Sequence, residues 1–187
     1  MSTNREPRAD AQRNRCRLVD AAAEVFGERG IDAPLDVVAH RAGVGNATLY
    51  RHFGNREELI AAVFVDQLRE WAQLAMAAAR QPDAWKGLRD YVRSVCRIQV
   101  RNRALAHLIV SDTAVNDEIT ELRQTAWRAT LRVMRRAQRA GVIREDARPR
   151  DVRILLMANA GVVLHSGDQA AATSARLVEI MLAGLEN

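Results

Sequence analysis

Between Ala42 and Leu59 the chain reads AGVGNATLYRHFGNREEL, residue types that admit two chemistries. Gly43 and Gly45, followed by a helix-like run, could form a loop whose backbone N–H groups cradle a phosphate. The same glycines could instead shape the tight turn between two helices, the second of which reads DNA. A dinucleotide fingerprint needs G-x-G-x-x-G directly after a strand. Here Thr48 stands where the third glycine belongs, and the preceding DVVAHRA reads as helix. No Gly-Lys-Ser/Thr follows, so a Walker-type loop is absent as well. The helix-turn-helix reading fits each residue. Val38 and Ala42 face Leu49 and Phe53, Ala39 permits close approach, Val44 plugs the turn, and Gly43 takes the left-handed conformation that turns the chain. Asn46, Ala47, Thr48, Tyr50, Arg51 and His52 then point outward, small or polar side chains suited to a major groove.

Hydrolysis is the rival chemistry. His165-Ser166 with Asp168, or His107 with Ser111 and Asp112, supplies the residue types. Closeness in sequence argues little, because catalytic triads assemble from separate elements. There is no G-x-S-x-G elbow and no H-E-x-x-H, and Cys16 and Cys96 lack metal-type spacing. A helical hydrolase is therefore the remote alternative; the reading expects no enzyme, no metal and no cofactor.

Composition bounds the rest. A chain of 187 residues, 48% hydrophobic and 27% charged, has ample length for a core. No run of about 18 apolar residues suggests a membrane span. The N-terminal MSTNREPRADAQRNR lacks the apolar centre of a secretory signal. Two distant thiols suit a reducing compartment, so a cytoplasmic location is expected. The net charge of +5 permits a polyanionic partner.

These residues must be held by helices, because alternating strand patterns are missing. Spacing predicts helices over 9–29, 35–42, 46–53, 56–80, 84–100, 103–111, 116–140, 150–165 and 171–185. The four prolines each fall where a helix should begin or end, and Gly30 and Gly141 punctuate two helix ends. The fold expected is all-α. Residues 1–57 would form a helix-turn-helix DNA-binding domain with a short basic tail, and residues 58–187 a larger helical domain.

With the residues in place, a family resemblance follows. From Cys16 to Phe64 the chain resembles the DNA-binding domain of the tetracycline-repressor (TetR) family of bacterial transcription regulators. It does so through AAAEVFGERG, VVAHRAGV and TLYRHFGNREEL at matching spacing. The resemblance implies that Tyr50 and His52 contact backbone phosphates and that Arg56 grips another. It leaves Asn46, Ala47, Thr48 and Arg51 to read bases. Arg5, Arg8 and Arg13, which precede or open the first helix, could approach the minor groove or the phosphates. Two positions depart from the family pattern. Ala33-Pro34 replaces a capping Ser or Thr before the second helix, with the proline expected in the first helical turn, and Gly45 replaces a Ser before the third.

The resemblance also implies a double-stranded DNA operator, a homodimer and a small-molecule inducer of the C-terminal domain. Leu155, Leu156, Ala160, Val163, Leu164, Leu177, Val178, Met181 and Leu182 are candidates for the dimer surface, too apolar to face water on all sides. Gln99, His107, Ser111, Trp127, Thr130, Met134, Met157 and Asn159, polar or soft residues on apolar faces, are candidates for the pocket. The functional expectation is a repressor released from a palindromic operator by its ligand. The alternative is a DNA-binding helical protein whose C-terminal half serves assembly alone.

Overall fold

A computed structural model describes residues 6–110 and 115–187. Among them nine α-helices follow in order: α1 (Glu6–Arg29), α2 (Leu35–Ala42), α3 (Asn46–His52), α4 (Arg56–Arg80), α5 (Ala84–Arg101), α6 (Arg103–Val110), α7 (Asp117–Arg139), α8 (Pro149–His165) and α9 (Ala170–Leu185). A 3-10 turn, Gly167–Gln169, joins the last two. The all-α expectation holds, and only Ile143 and Glu186 form an isolated antiparallel bridge among the described residues. Helix α1 starts earlier than its periodicity suggests, at Glu6, because Pro7 is tolerated in a first turn that has no N–H partner to lose. No described helix is long and apolar enough to cross a membrane. Arg5, Ser111 and Asp112 lie outside the described residues.

The chain divides into two compact units, one up to Phe64 and one from Val65, with the division inside α4. In the first unit, Leu18, Ala22, Val25 and Phe26 of α1 bury against Val38, Ala39, Leu49, Phe53 and Phe64. The Phe26 and Phe64 rings lie 6.2 Å apart, and the Arg15 guanidinium sits 5.0 Å above Phe53. Arg41 of α2 reaches back to Glu24 and Glu28 of α1 at 3.1 and 2.9 Å. Its hydrogen bonds hold the Glu28 carboxyl below its ordinary range. These pairs are solvated, so they fix the angle of α2 more than they add stability.

In the second unit, Leu88, Val92 and Val95 of α5 meet Leu105, Leu108 and Ile109 of α6 and Ile119, Ala126 and Val133 of α7 in one core. Helices α8 and α9 pack on each other and on α5 through Leu155, Leu156, Val178 and Leu182. Helix starts are capped by side chains: Asp83 accepts from Lys86 N and Asn116 from Ile119 N, both at 2.9 Å. Buried Trp71 donates its indole N–H to Tyr91 Oη at 2.9 Å, and Tyr91 Oη is hydrogen-bonded to Thr130 Oγ1 at 2.5 Å. Burial pushes the Tyr91 hydroxyl up to about 12, so at neutral pH it stays protonated.

Candidate nucleic-acid interface and effector pocket

The turn between α2 and α3 is a Schellman closure. Gly43 adopts φ 67°; its N–H donates to His40 O at 3.0 Å, and Val44 N–H donates to Ala39 O at 3.0 Å. A Cβ at Gly43 would come within 2.8 Å of Arg17 Nη2, the free end of a side chain that can swing aside, so it is the left-handed φ that calls for glycine. Gly45 precedes α3 in extended conformation with no side-chain cap; its carbonyl instead accepts from Thr48 and Leu49 N–H. Pro34 occupies the position before α2 and not its first turn, as the sequence reading has it, and gives α2 no side-chain cap.

Helix α3 is thereby divided into two faces. Leu49 and the following Phe53 are buried, while Asn46, Ala47, Tyr50 and Arg51 share the opposite face and are exposed. Thr48 is half-buried at the edge. Tyr50 is 53% exposed although it is aromatic, an arrangement that leaves its ring and hydroxyl free for a partner. His52 is half-buried, and its Nε2 has no hydrogen-bond partner among the described residues. The outward array therefore narrows to Asn46, Ala47, Tyr50 and Arg51, with Thr48 and His52 flanking it. Arg13, on α1, pairs with Asp10.

Arg56, expected to grip a phosphate, also has partners inside its own unit. Its Nη1 donates to Ile31 O at 2.9 Å and to Ala33 O at 2.7 Å, so the guanidinium ties the α1–α2 connection to the start of α4. The position cannot be told apart from an outward one by sequence, since both put a basic residue at a helix start. Arg56→Ala leaves two part-buried carbonyls without that donor. It is expected to lower the stability of the first unit by about 1–3 kcal/mol, read from urea unfolding. A loss confined to DNA binding, with no change in unfolding, would restore the phosphate role.

The pocket candidates are sorted by their partners. Gln99 Nε2 donates to Leu156 O at 3.1 Å, Asn159 Nδ2 to Gln99 Oε1 at 2.8 Å, and Ser174 Oγ to Asn159 Oδ1 at 2.6 Å, all fully buried. Thr130 belongs to the separate Trp71–Tyr91 cluster. Half-buried Trp127 stands edge-on to Trp71 with centroids 5.3 Å apart, and Met134 is buried. Two candidates do not join them: His107 is exposed on α6, and Met157 is 51% exposed on the outer side of α8. The helical period alone placed both on inward faces; the packing of α8 on α9 turns Asn159 in and Met157 out. His165 is exposed too.

Sequence reasoning missed a groove of about 300 Å³ between α5 and α9. Its walls include Val100, Ala171, Ala175 and Val178, with Cys96 and Ser174 at the base. Arg93 spans it to Glu179 through two hydrogen bonds of 2.9 and 2.7 Å, which hold the glutamate carboxyl below its ordinary range. Arg97 and Arg101 line the same side. The repeat of arginine at 93, 97 and 101 was the one available signal. Burial pushes the Cys96 thiol up to about 12, so it stays neutral and unreactive. An iodoacetamide titration of folded protein is expected to label exposed Cys16 and spare Cys96; equal rates would mean the groove opens to the reagent.

Comparison with known proteins decides the identity. The family model described as bacterial regulatory proteins, tetR family, matches residues 18–63. That described as the C-terminal domain of SbtR-like transcriptional regulators matches residues 81–187, more than half of the chain. The chain belongs to the TetR family. The TetR transcriptional regulator SCO0520 from Streptomyces coelicolor is 30% identical, with a TM-score of 0.58 over 92% of this chain and 98% of that one. The HTH-type transcriptional regulator UidR from Escherichia coli is 29% identical over 147 residues, 73% of this chain and 72% of its own. SrpR from Pseudomonas putida is 41% identical, but over 64 residues that make up 34% of this TetR-family chain and only 30% of SrpR. As a TetR-family member, the chain is a transcriptional regulator with a DNA-binding helix-turn-helix, and its functional class is regulation and not catalysis.

Proposed function

We propose that the protein is a homodimeric repressor, acting in the cytoplasm, that leaves a palindromic operator when a small molecule binds its C-terminal unit. The observation that carries the dimer is an apolar surface on α8 and α9. Ile154, Met157 and Leu164 on α8 and Ile180 on α9 are all more than half exposed, and Leu177 and Met181 are partly so. Exposed apolar side chains grouped on two packed helices fit an association surface. Of the residues expected there from sequence, Leu164, Leu177, Met181 and Ala160 keep exposed surface. Leu155, Leu156, Val163, Val178 and Leu182 are buried within the subunit, and Ile154, Met157 and Ile180 join the surface instead.

DNA contact falls to the exposed face of α3, with Asn46 and Arg51 supplying base-edge hydrogen bonds, the Ala47 methyl an apolar touch, and Tyr50 a phosphate contact. Thr48 and His52 contribute from the flanks. A single α3 reads one short half-site, so two copies reading a symmetric site supply the specificity. The α5–α9 groove is the best-supported inducer site, since it joins apolar walls to a few directed polar groups. Behind it the Gln99–Asn159–Ser174 chain connects α5 and α9 to α8. A ligand that spreads α5 from α9 would thereby shift the dimer face, and DNA and ligand would oppose each other reciprocally.

Selection of genomic fragments by the purified protein, at two salt concentrations, tests this reading. The expected result is a short palindrome, with log affinity falling against log salt at a slope of about −0.9 per phosphate neutralised. Recovery of salt-sensitive background without a shared sequence would refute it.

A further inference from the structure

A second groove, of about 540 Å³, lies between the last turns of α4 and α7 and has no part in the reading above. Five arginines surround it: Arg80 from α4, and Arg132, Arg135, Arg136 and Arg139 from α7. The α7 residues recur at three- and four-residue spacing, so they form one stripe. No carboxylate lines the groove; its floor is Met76 and Ala79. Arg136 is fixed in place, Nη1 donating to Ala79 O at 3.0 Å and Nη2 to Pro82 O at 2.8 Å. The described ion pairs take Arg41, Arg69, Arg93 and Arg144 to carboxylates across or within helices, but none of these five.

In those pairs each arginine is matched by a carboxylate, whereas here five arginines gather around one groove with no carboxylate among its lining residues. The two helix C-termini that meet at this end, of α4 and α7, carry partial negative charge and account for one or two of the cations. They do not account for five. Arg132 and Arg135 sit back from the last turn, where the dipole has faded. Like charges this close repel unless an anion is shared between them.

We propose that this groove binds an oligophosphate of nucleotide size. Guanidinium groups engage phosphate oxygens in pairs, and a run of phosphates spreads its charge over several of them at once. A single carboxylate would meet at most two of the five. The concave shape and the apolar floor suit a compact soluble anion, with Met76 and Ala79 beneath its non-phosphate part, whereas a DNA duplex needs a long open track.

The test is calorimetric titration of the full chain with inorganic triphosphate and with ATP, against sodium sulfate, at a fixed ionic strength of about 0.15 M. Three proteins are compared: wild type, R132Q/R135Q/R139Q, and R51Q as a control for anion binding at the α3 face. The exposed arginines leave no core to disturb, and circular dichroism checks that each variant is helical. The expected result is one saturable triphosphate site per chain, weakened at least about tenfold in the triple variant and unchanged in R51Q. Sulfate should bind more weakly than triphosphate by a similar factor. Loss in R51Q but not in the triple variant, equal response to sulfate, or no saturable binding would each overturn the proposal. So would a triple variant that loses operator affinity while wild type ignores triphosphate, since the groove would then serve DNA. Failure of the operator selection leaves this titration unaffected, so the two readings stand or fall separately.

Discussion

L164E/I180E is expected to be monomeric and to bind its operator at least about a hundredfold more weakly than wild type, the gain that linking two binding modules typically supplies. Leu164 is 59% exposed and Ile180 52% exposed within the subunit, so neither change touches the monomer's own core. In a dimer joined through α8 and α9, four glutamates would enter an apolar interface, and burying an unpaired carboxylate is far costlier than losing a methyl contact. The half-sites would then be bound one at a time. Sedimentation gives the mass and a fluorescent operator fragment gives the affinity. A variant that remains dimeric with unaltered affinity would show that the association surface lies elsewhere. A monomer that keeps full affinity would show that the two-half-site reading is wrong.

The second large effect is thermodynamic. Asn159→Ala should destabilise the protein by roughly 3–5 kcal/mol, the sum of a small cavity and two stranded polar groups. Asn159 is 0% exposed and sits in the middle of its chain of hydrogen bonds, so its loss strands Gln99 Oε1 and Ser174 Oγ together. The fully apolar replacement Q99L/N159L/S174A strands nothing at these side chains and should recover much of the loss. Denaturant midpoints at one fixed protein concentration make the comparison, because dimerisation couples stability to concentration. A cost below about 1 kcal/mol would mean that the stranded groups find new partners and that the network is not a rigid link. If the triple variant also regains stability but no longer responds to ligand, the link between groove and dimer face is what the polar chain provides.

The sequence was most legible where one local rule decided the outcome. Gly43 had to be left-handed because two short helices with facing apolar residues leave no other way to turn, and its φ is 67°. Leu49 and Phe53 had to be inside for the same reason, which left Asn46, Ala47, Tyr50 and Arg51 outside. Helices α2 and α4 begin and end where their apolar period and flanking residues predict. Legibility failed where the period was ambiguous. Helix α8 is apolar nearly all round, so spacing could not choose between the face with Leu155, Leu156 and Asn159 and the face with Ile154 and Met157. It failed again at Arg56, where a basic residue at a helix start is consistent with pointing to DNA or to a neighbouring loop.

By itself, then, the sequence determined that the described chain is built of helices, nearly where each of them lies, and that a turn between two of the first helices is suited to DNA. Each depends on patterns a few residues long, and the forces behind them act over a few residues. Only the tertiary structure decided which side of α8 meets α9, that Gln99, Asn159 and Ser174 close into one buried chain, and that Arg56 turns inward. It alone brought the arginine stripe of α7 beside the end of α4. Those outcomes join residues up to 60 positions apart in the chain, as Gln99 and Asn159 are. Which of several adequate partners a side chain takes is settled by how whole helices pack.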